Sequence, residues 1–233
     1  MKMIFDADLH KRYLTTLLIE ITKKFLSKIG FKGGTCAYFF YDLPRFSYDL
    51  DFDILKPFSD VDIDSIKEIL SKHGDIKDFQ DKKFTLFAEF DYGKYYPNIK
   101  IELNKRVWLH NKYTEKLFLG VPILISDEST LLTNKMVALV ERTSPVARDL
   151  FDVNCFLKNG FNINENLIRE RTGKDIITFL TYLLGFIKKT YTTKNVLQGL
   201  GEILENKQKN WVKRNLILDT ISEIQKKLND LKK

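Results

Sequence analysis

Three carboxylates alternate with apolar residues in the run Asp49-Leu50-Asp51-Phe52-Asp53-Ile54. Strict polar and apolar alternation is the pattern of an extended strand, whose successive side chains point to opposite faces. Asp49, Asp51 and Asp53 then share one face, and Leu50, Phe52 and Ile54 the other. Three like charges on one face repel, and a cation relieves that repulsion. Carboxylates at i and i+2 supply oxygens that suit Mg²⁺, a hard ion that keeps waters and bridges phosphates. A solvated acidic edge strand is the plain alternative for a bare pair of aspartates. The strongly apolar second face and a glycine turn just upstream weigh against it.

That turn is Gly33-Gly34-Thr35, which offers backbone N–H groups beside a helix N-terminus, a natural seat for phosphates. Alone it would more often be a tight turn capped by threonine. Lys32-Gly33-Gly34-Thr35 followed by Arg45-Phe46-Ser47-Tyr48-Asp49-Leu50-Asp51 resembles the opening motif of the AbiEii/AbiGii-type nucleotidyltransferase toxins, a branch of the DNA polymerase β-like superfamily. The resemblance implies that Asp49 and Asp51 are catalytic metal ligands and that Gly33, Gly34, Thr35, Arg45 and Ser47 bind the nucleotide. It also implies a third carboxylate from a neighbouring strand. Glu102, in Ile99-Lys100-Ile101-Glu102-Leu103, is the candidate, where relatives often carry aspartate; a surface pair with Lys100 or Lys105 is the alternative.

The family's later motif matches Lys135, Arg142 and Arg148-Asp149-Leu150-Phe151-Asp152. Lys135 and Arg142 are seven residues apart and share a helix face, where their charges could hold the phosphates of an NTP. Asp149 or Asp152 is the further catalytic carboxylate, orienting Lys135 or the acceptor hydroxyl. Arg148 and Asp152, at i and i+4, could equally form an ordinary helix salt bridge. The resemblance spans roughly residues 30 to 155.

It implies a metal-dependent nucleotidyltransferase that transfers NMP from an NTP, with Mg²⁺ as cofactor. Relatives act as toxins of toxin–antitoxin or phage abortive-infection systems, several by adding nucleotides to the 3′ end of tRNA, so tRNA and a cognate antitoxin protein are the expected partners. The alternatives are transfer to a small hydroxylated molecule or a protein side chain, and a non-catalytic RNA-binding module. With 38 Lys and Arg against 31 Asp and Glu, the net charge of +7 accords with an RNA acceptor. Cationic candidates for that contact are Lys94, Lys105, Arg106, Lys112, Lys188, Lys189, Lys213 and Arg214. Two distant cysteines and three scattered histidines argue against a disulfide scaffold or a zinc centre. No apolar run approaches the roughly 20 residues that span a bilayer, so the expected location is the cytoplasm, with no membrane partner.

The elements that must position these residues follow from periodicity. Apolar positions from Leu9 to Ile29 recur at three and four, which predicts a long first helix stopped by Gly30. Val61 to Lys72 also reads as helix, while Phe84 to Tyr92, Ile99 to Leu103 and Lys116 to Leu124 read as strands. After Ser126, a candidate N-cap, the strand signal ends. Leu131 to Arg142, Val146 to Lys158, Ile176 to Lys189, Val196 to Glu205 and Trp211 to Leu231 all read as helices. The expected fold class is α+β: a nucleotidyltransferase-like mixed sheet with helices over residues 1–125, then an all-helical C-terminal domain over residues 126–233.

Overall fold

The computed structural model describes residues 6–93, 95–144, 146–200, 204 and 206–232. The chain divides into two compact units. The first runs to Asp42 and continues through Ser47–Val107 and Tyr113–Ser126; the second holds Leu43–Phe46, Trp108–Lys112 and the chain from Asp127 onward.

The first unit is built on a mixed sheet of seven strands: β1 (Ile29–Lys32), β2 (Leu50–Ile54), β3 (Asp75–Asp81), β4 (Thr85–Asp91), β5 (Ile99–Asn104), β6 (Tyr113–Phe118) and β7 (Val121–Ser126), in the spatial order β3-β4-β5-β2-β1-β7-β6. β2 runs parallel to β5 and antiparallel to β1. Register fixes the faces. Leu50 lies opposite Ile101, and Phe52 opposite Leu103; with Leu86, Ala88 and Phe90 of β4 they form one buried apolar face. Asp51 lies opposite Glu102 on one side and Lys32 on the other, and Asp53 opposite Asn104 and Gly30. Polar chemistry is therefore confined to the second face, as the period of two dictates.

Helix α1 (Ala7–Phe25) is capped by Asp6 and buries Leu14, Leu17, Leu18, Ile21 and Phe25. It stops earlier than its apolar spacing suggests. Leu26 takes a positive φ of 31°, a 3-10 turn follows over Leu26–Lys28, and Ile29, Gly30 and Phe31 belong to β1. Gly30 is thus a strand residue and not a helix stop. A side chain there would overlap the Tyr113 ring, which crosses β1 at this point. Helix α2 (Gly33–Phe40) follows β1 directly, and α3 (Asp60–Ser71) starts with a capping box from Ser59 and Asp62.

Three other sequence expectations are corrected here. Lys116 to Leu124 is not one strand but the β6–β7 hairpin, turning through Leu119 (φ 49°) and Gly120 (φ 79°), the paired left-handed geometry of a type I′ turn. Ser126 ends β7, and Asp127 is the N-cap whose carboxylate accepts from Thr130 N–H. Residues 193–200 form turns where a helix is expected, and residues 201–203 and 205 fall outside the described part. β3, Asp75-Ile76-Lys77-Asp78-Phe79-Gln80-Asp81, is an edge strand decorated with charge, and its sequence carries little apolar period.

The second unit is helical: α4 (Glu128–Glu141), α5 (Ala147–Lys158), α6 (Glu165–Thr172), α7 (Ile176–Thr190) and α8 (Asn206–Asp230). α5 packs against α4 and α8, and α7 against α8 and α6. Its core joins Leu132, Met136 and Val137 of α4 to Leu150, Val153 and Phe156 of α5, and to Leu180, Leu183, Val212 and Leu216.

Candidate active site

Everything at the sheet site follows from the direct step from β1 into α2. Gly33 opens the helix with a φ of 77°, in the region that favours glycine, and a Cβ on it would run into Asp51 Oδ2 on β2. Glycine is required for both reasons. The Asp51 carboxylate consequently lies against the first turn of α2, whose leading N–H groups have no partner within the helix and carry the positive end of its dipole. Lys32, at the N-cap, supplies no capping oxygen; its side chain goes elsewhere.

Beside Asp51 stands its register partner Glu102. Burial raises the Glu102 carboxyl above its usual range and the Asp51 charge raises it further, against the opposing pull of Lys100, Lys32 and Lys82. Asp49 sits one residue ahead of β2 and is held by its backbone and its side chain. Thr35 Oγ1 donates to the Asp49 carbonyl oxygen and lies 2.9 Å from Ser47 Oγ. Lys100 N–H, from β5, donates to Asp49 Oδ1 at 3.3 Å. Gly33, Thr35, Ser47, Asp49, Asp51 and Glu102 are therefore brought together in one unit, with Gly34 buried in the first turn of α2.

Asp53 departs from the expectation of three repelling carboxylates. It is only 1% exposed, and its oxygens are satisfied by Lys32 Nζ at 2.5 Å, Tyr113 Oη at 2.6 Å and Asn104 Nδ2 at 2.9 Å. Lys32 neutralises it, so no added cation is needed there. Sequence reasoning missed these three partners, which come from β1, β5 and β6; Gly30, which makes room for Tyr113, was the one available signal.

Among the described residues, no three His, Cys, Asp or Glu side chains converge as a ready-made metal cage. The donors present nevertheless suit a hard divalent cation: they are all oxygens, and Glu102 already feels the negative charge of Asp51. Phosphates on the first turn of α2 would add to that charge, and a cation shared between phosphate and carboxylate relieves both.

The remaining sequence candidates gather in the helical unit around two fully buried carboxylates, Asp149 and Asp152. Arg45 grips Asp152 with two parallel contacts, Nε to Oδ1 at 2.5 Å and Nη2 to Oδ2 at 2.6 Å. Lys135 Nζ lies 2.9 Å from Asp152 Oδ2 and 2.8 Å from Asp149 Oδ1, and Arg142 Nε 2.7 Å from Asp149 Oδ2. Burial alone would lift the Asp152 carboxyl, but Arg45 and Lys135 outweigh it and hold it below the usual range. Burial likewise works against the Lys135 ammonium, and Asp152 with Asp149 more than restores it. The i,i+4 bridge from Arg148 is displaced by this arrangement, because the Asp152 oxygens go to Arg45 and Lys135. Arg45 is 6% exposed, whereas the Arg142 side chain keeps 40% of its surface.

A carboxylate strand beside a glycine turn that opens a helix, on a seven-stranded mixed sheet, defines a nucleotidyltransferase-type fold. The family model described as nucleotidyl transferase AbiEii toxin, type IV toxin–antitoxin system, matches residues 18–214, and the chain belongs to that family. Among solved structures it is similar to a Helicobacter pylori protein described as a candidate nucleotidyltransferase, at 20% identity and a TM-score of 0.62 over 97% of both chains. It is also similar to JHP933 from Helicobacter pylori, at 19% identity and a TM-score of 0.58 over the whole of both chains. No curated protein sequence matches. Among the described residues, no helix is long and apolar enough to cross a membrane.

Proposed function

We propose that the protein transfers a nucleotide from an NTP to the 3′ end of an RNA, with tRNA the favoured acceptor, and that this activity is the toxic one of a toxin–antitoxin pair. The observation that carries the reading is the Asp51 carboxylate lodged against Gly33 at the start of α2, which joins a metal-binding strand to a phosphate-binding turn. Asp49, Asp51 and Glu102 would hold Mg²⁺, which when bound neutralises phosphate charge and lowers the pKa of an acceptor hydroxyl. The first turn of α2, at Gly33, Gly34 and Thr35, receives the phosphates. Thr35 donates to the Asp49 carbonyl oxygen, with Ser47 beside its hydroxyl, and so keeps Asp49 in place.

Phosphoryl-type transfer asks mainly for positioning and charge neutralisation, and the sheet site supplies both. Arg45, Lys135, Asp149 and Asp152 are assigned a positioning role through their buried pairs, and Arg142 is the cation of this cluster that keeps exposed surface. The family accords with a cytoplasmic toxin whose activity a partner antitoxin opposes. Incubating the purified protein with total RNA, Mg²⁺ and each labelled NTP in turn tests the proposal. Label is expected in tRNA only when its 3′ hydroxyl is free, with steep loss at rising salt. Labelling of a small hydroxylated molecule or a protein, with none in RNA, would overturn the acceptor assignment.

A further inference from the structure

His10 is fully buried on α1, among aromatic rings and far in sequence from the carboxylates. Its Nε2 lies 2.9 Å from the carbonyl oxygen of Tyr48, and its Nδ1 2.6 Å from the Tyr92 hydroxyl. A carbonyl oxygen only accepts, so Nε2 carries the proton, and Nδ1 must then accept from Tyr92 O–H. Burial raises the Tyr92 phenol well above its usual range, which keeps that donor protonated. The ring is clamped as well as bonded: it meets Tyr48 and Tyr92 edge-on, at centroid separations of 5.4 and 5.5 Å, and Tyr92 is itself stacked between Tyr13 and Tyr96.

Tyr48 immediately precedes Asp49. The peptide groups flanking Asp49 are thus fixed in succession, the Tyr48 carbonyl by His10 and the Asp49 carbonyl by Thr35, while Lys100 N–H meets the carboxylate. β2 begins at Leu50, so Asp49 sits one residue outside the strand that holds Asp51. We infer that His10 is a positioning residue, whose tether from α1 to the Tyr48 carbonyl holds Asp49 at the geometry its role requires. A metal-binding carboxylate outside regular structure needs such support, because loss of even part of an ångström of alignment weakens the site.

The inference rests on the metal-binding reading of Asp49, and its test separates the two. His10→Leu, His10→Gln and Tyr92→Phe are compared with the unaltered full chain by Mn²⁺ titration and by amide hydrogen exchange over residues 46–50. His10→Leu is expected to speed exchange in that segment about tenfold and to weaken Mn²⁺ binding similarly, with β4 and β5 unchanged. His10→Gln should recover most of both, since its amide can donate to Tyr48 and accept from Tyr92. A folded His10→Leu protein that exchanges and binds Mn²⁺ like the unaltered chain overturns the inference. Should that variant fail to fold, Tyr92→Phe, which deletes one oxygen, decides: about threefold faster exchange supports the tether and unchanged exchange overturns it. If the unaltered chain takes no Mn²⁺, the metal reading fails, and the exchange result still judges His10.

Discussion

Two assemblies of charge in this protein use the same residue types toward opposite ends. In the helical unit Asp149 and Asp152 are fully buried, and every carboxylate oxygen lies within ion-pair distance of Arg45, Lys135 or Arg142. In the sheet unit Asp51 and Glu102 stand in register, and the Asp51 charge opposes ionisation of Glu102. The first assembly is closed in charge, with Asp149 Oδ2 meeting Arg142 as an ion pair without a hydrogen bond. In the second, burial and the Asp51 charge raise the Glu102 carboxyl while Lys100, Lys32 and Lys82 lower it, and a bound cation would favour the ionised form. Asp53, two residues from Asp51 on the same face, shows how narrow the difference is: with Lys32, Tyr113 and Asn104 around it, it belongs to the closed kind.

The comparison breaks most visibly at Asp51. Asp51→Asn is expected to lower nucleotide transfer by at least about a hundredfold, since charge neutralisation at phosphate is worth several kcal/mol. Its melting temperature without metal should stay level or rise, because a repulsive charge is removed. A variant that loses stability and keeps activity would reverse the assignment.

The helical cluster should answer the other way. Arg45→Ala leaves Asp152 buried without its bidentate partner, and a loss of about 3–5 kcal/mol in denaturant unfolding is expected. The double variant Arg45→Met with Asp152→Leu should recover much of that loss, as apolar replacement of a buried pair often does. Failure to recover would mean that the cluster is more than structural.

Gly33→Ala sharpens the contrast at intermediate size. A side chain at φ 77° costs about 1–3 kcal/mol, and here it also displaces the Asp51 carboxylate, so transfer should fall out of proportion to stability. Parallel activity and urea titrations check this. The smallest effect expected concerns pH. Burial lowers the His10 pKa from 6.5, so the folded protein favours the neutral ring, and its contribution to stability is present above that value. Stability should decline as pH falls below about 6.5, where the unfolded chain takes up the proton, and His10→Gln should flatten that decline in melting curves.

How much of this was legible in the sequence depended on distance along the chain. Asp49, Asp51 and the Gly33 turn could be read because alternation and glycine chemistry act over a few residues. Glu102 came from resemblance, and register then explains it. The Arg45–Asp152 pair links positions 107 apart, and nothing local to either residue marks it. Lys32 enters the sequence reading only as the residue before the glycine turn, and β1, at four residues, is too short to announce itself by period. His10 shared that limit: a histidine on an amphipathic helix reads the same whether it packs or tethers.

The place of β2 in the sheet order carries one more consequence. It is the fourth of seven strands, hydrogen-bonded on both sides, and its two faces differ completely in polarity. A slip of one residue would turn Asp51 and Asp53 into the apolar layer and put Leu50, Phe52 and Ile54 among charges, an error the sheet cannot absorb locally. Misfolded molecules therefore have no graded series of half-formed sites. Activity per folded molecule should stay constant through partial denaturation, with only the number of competent molecules falling, so loss of function and loss of the sheet should share a single midpoint.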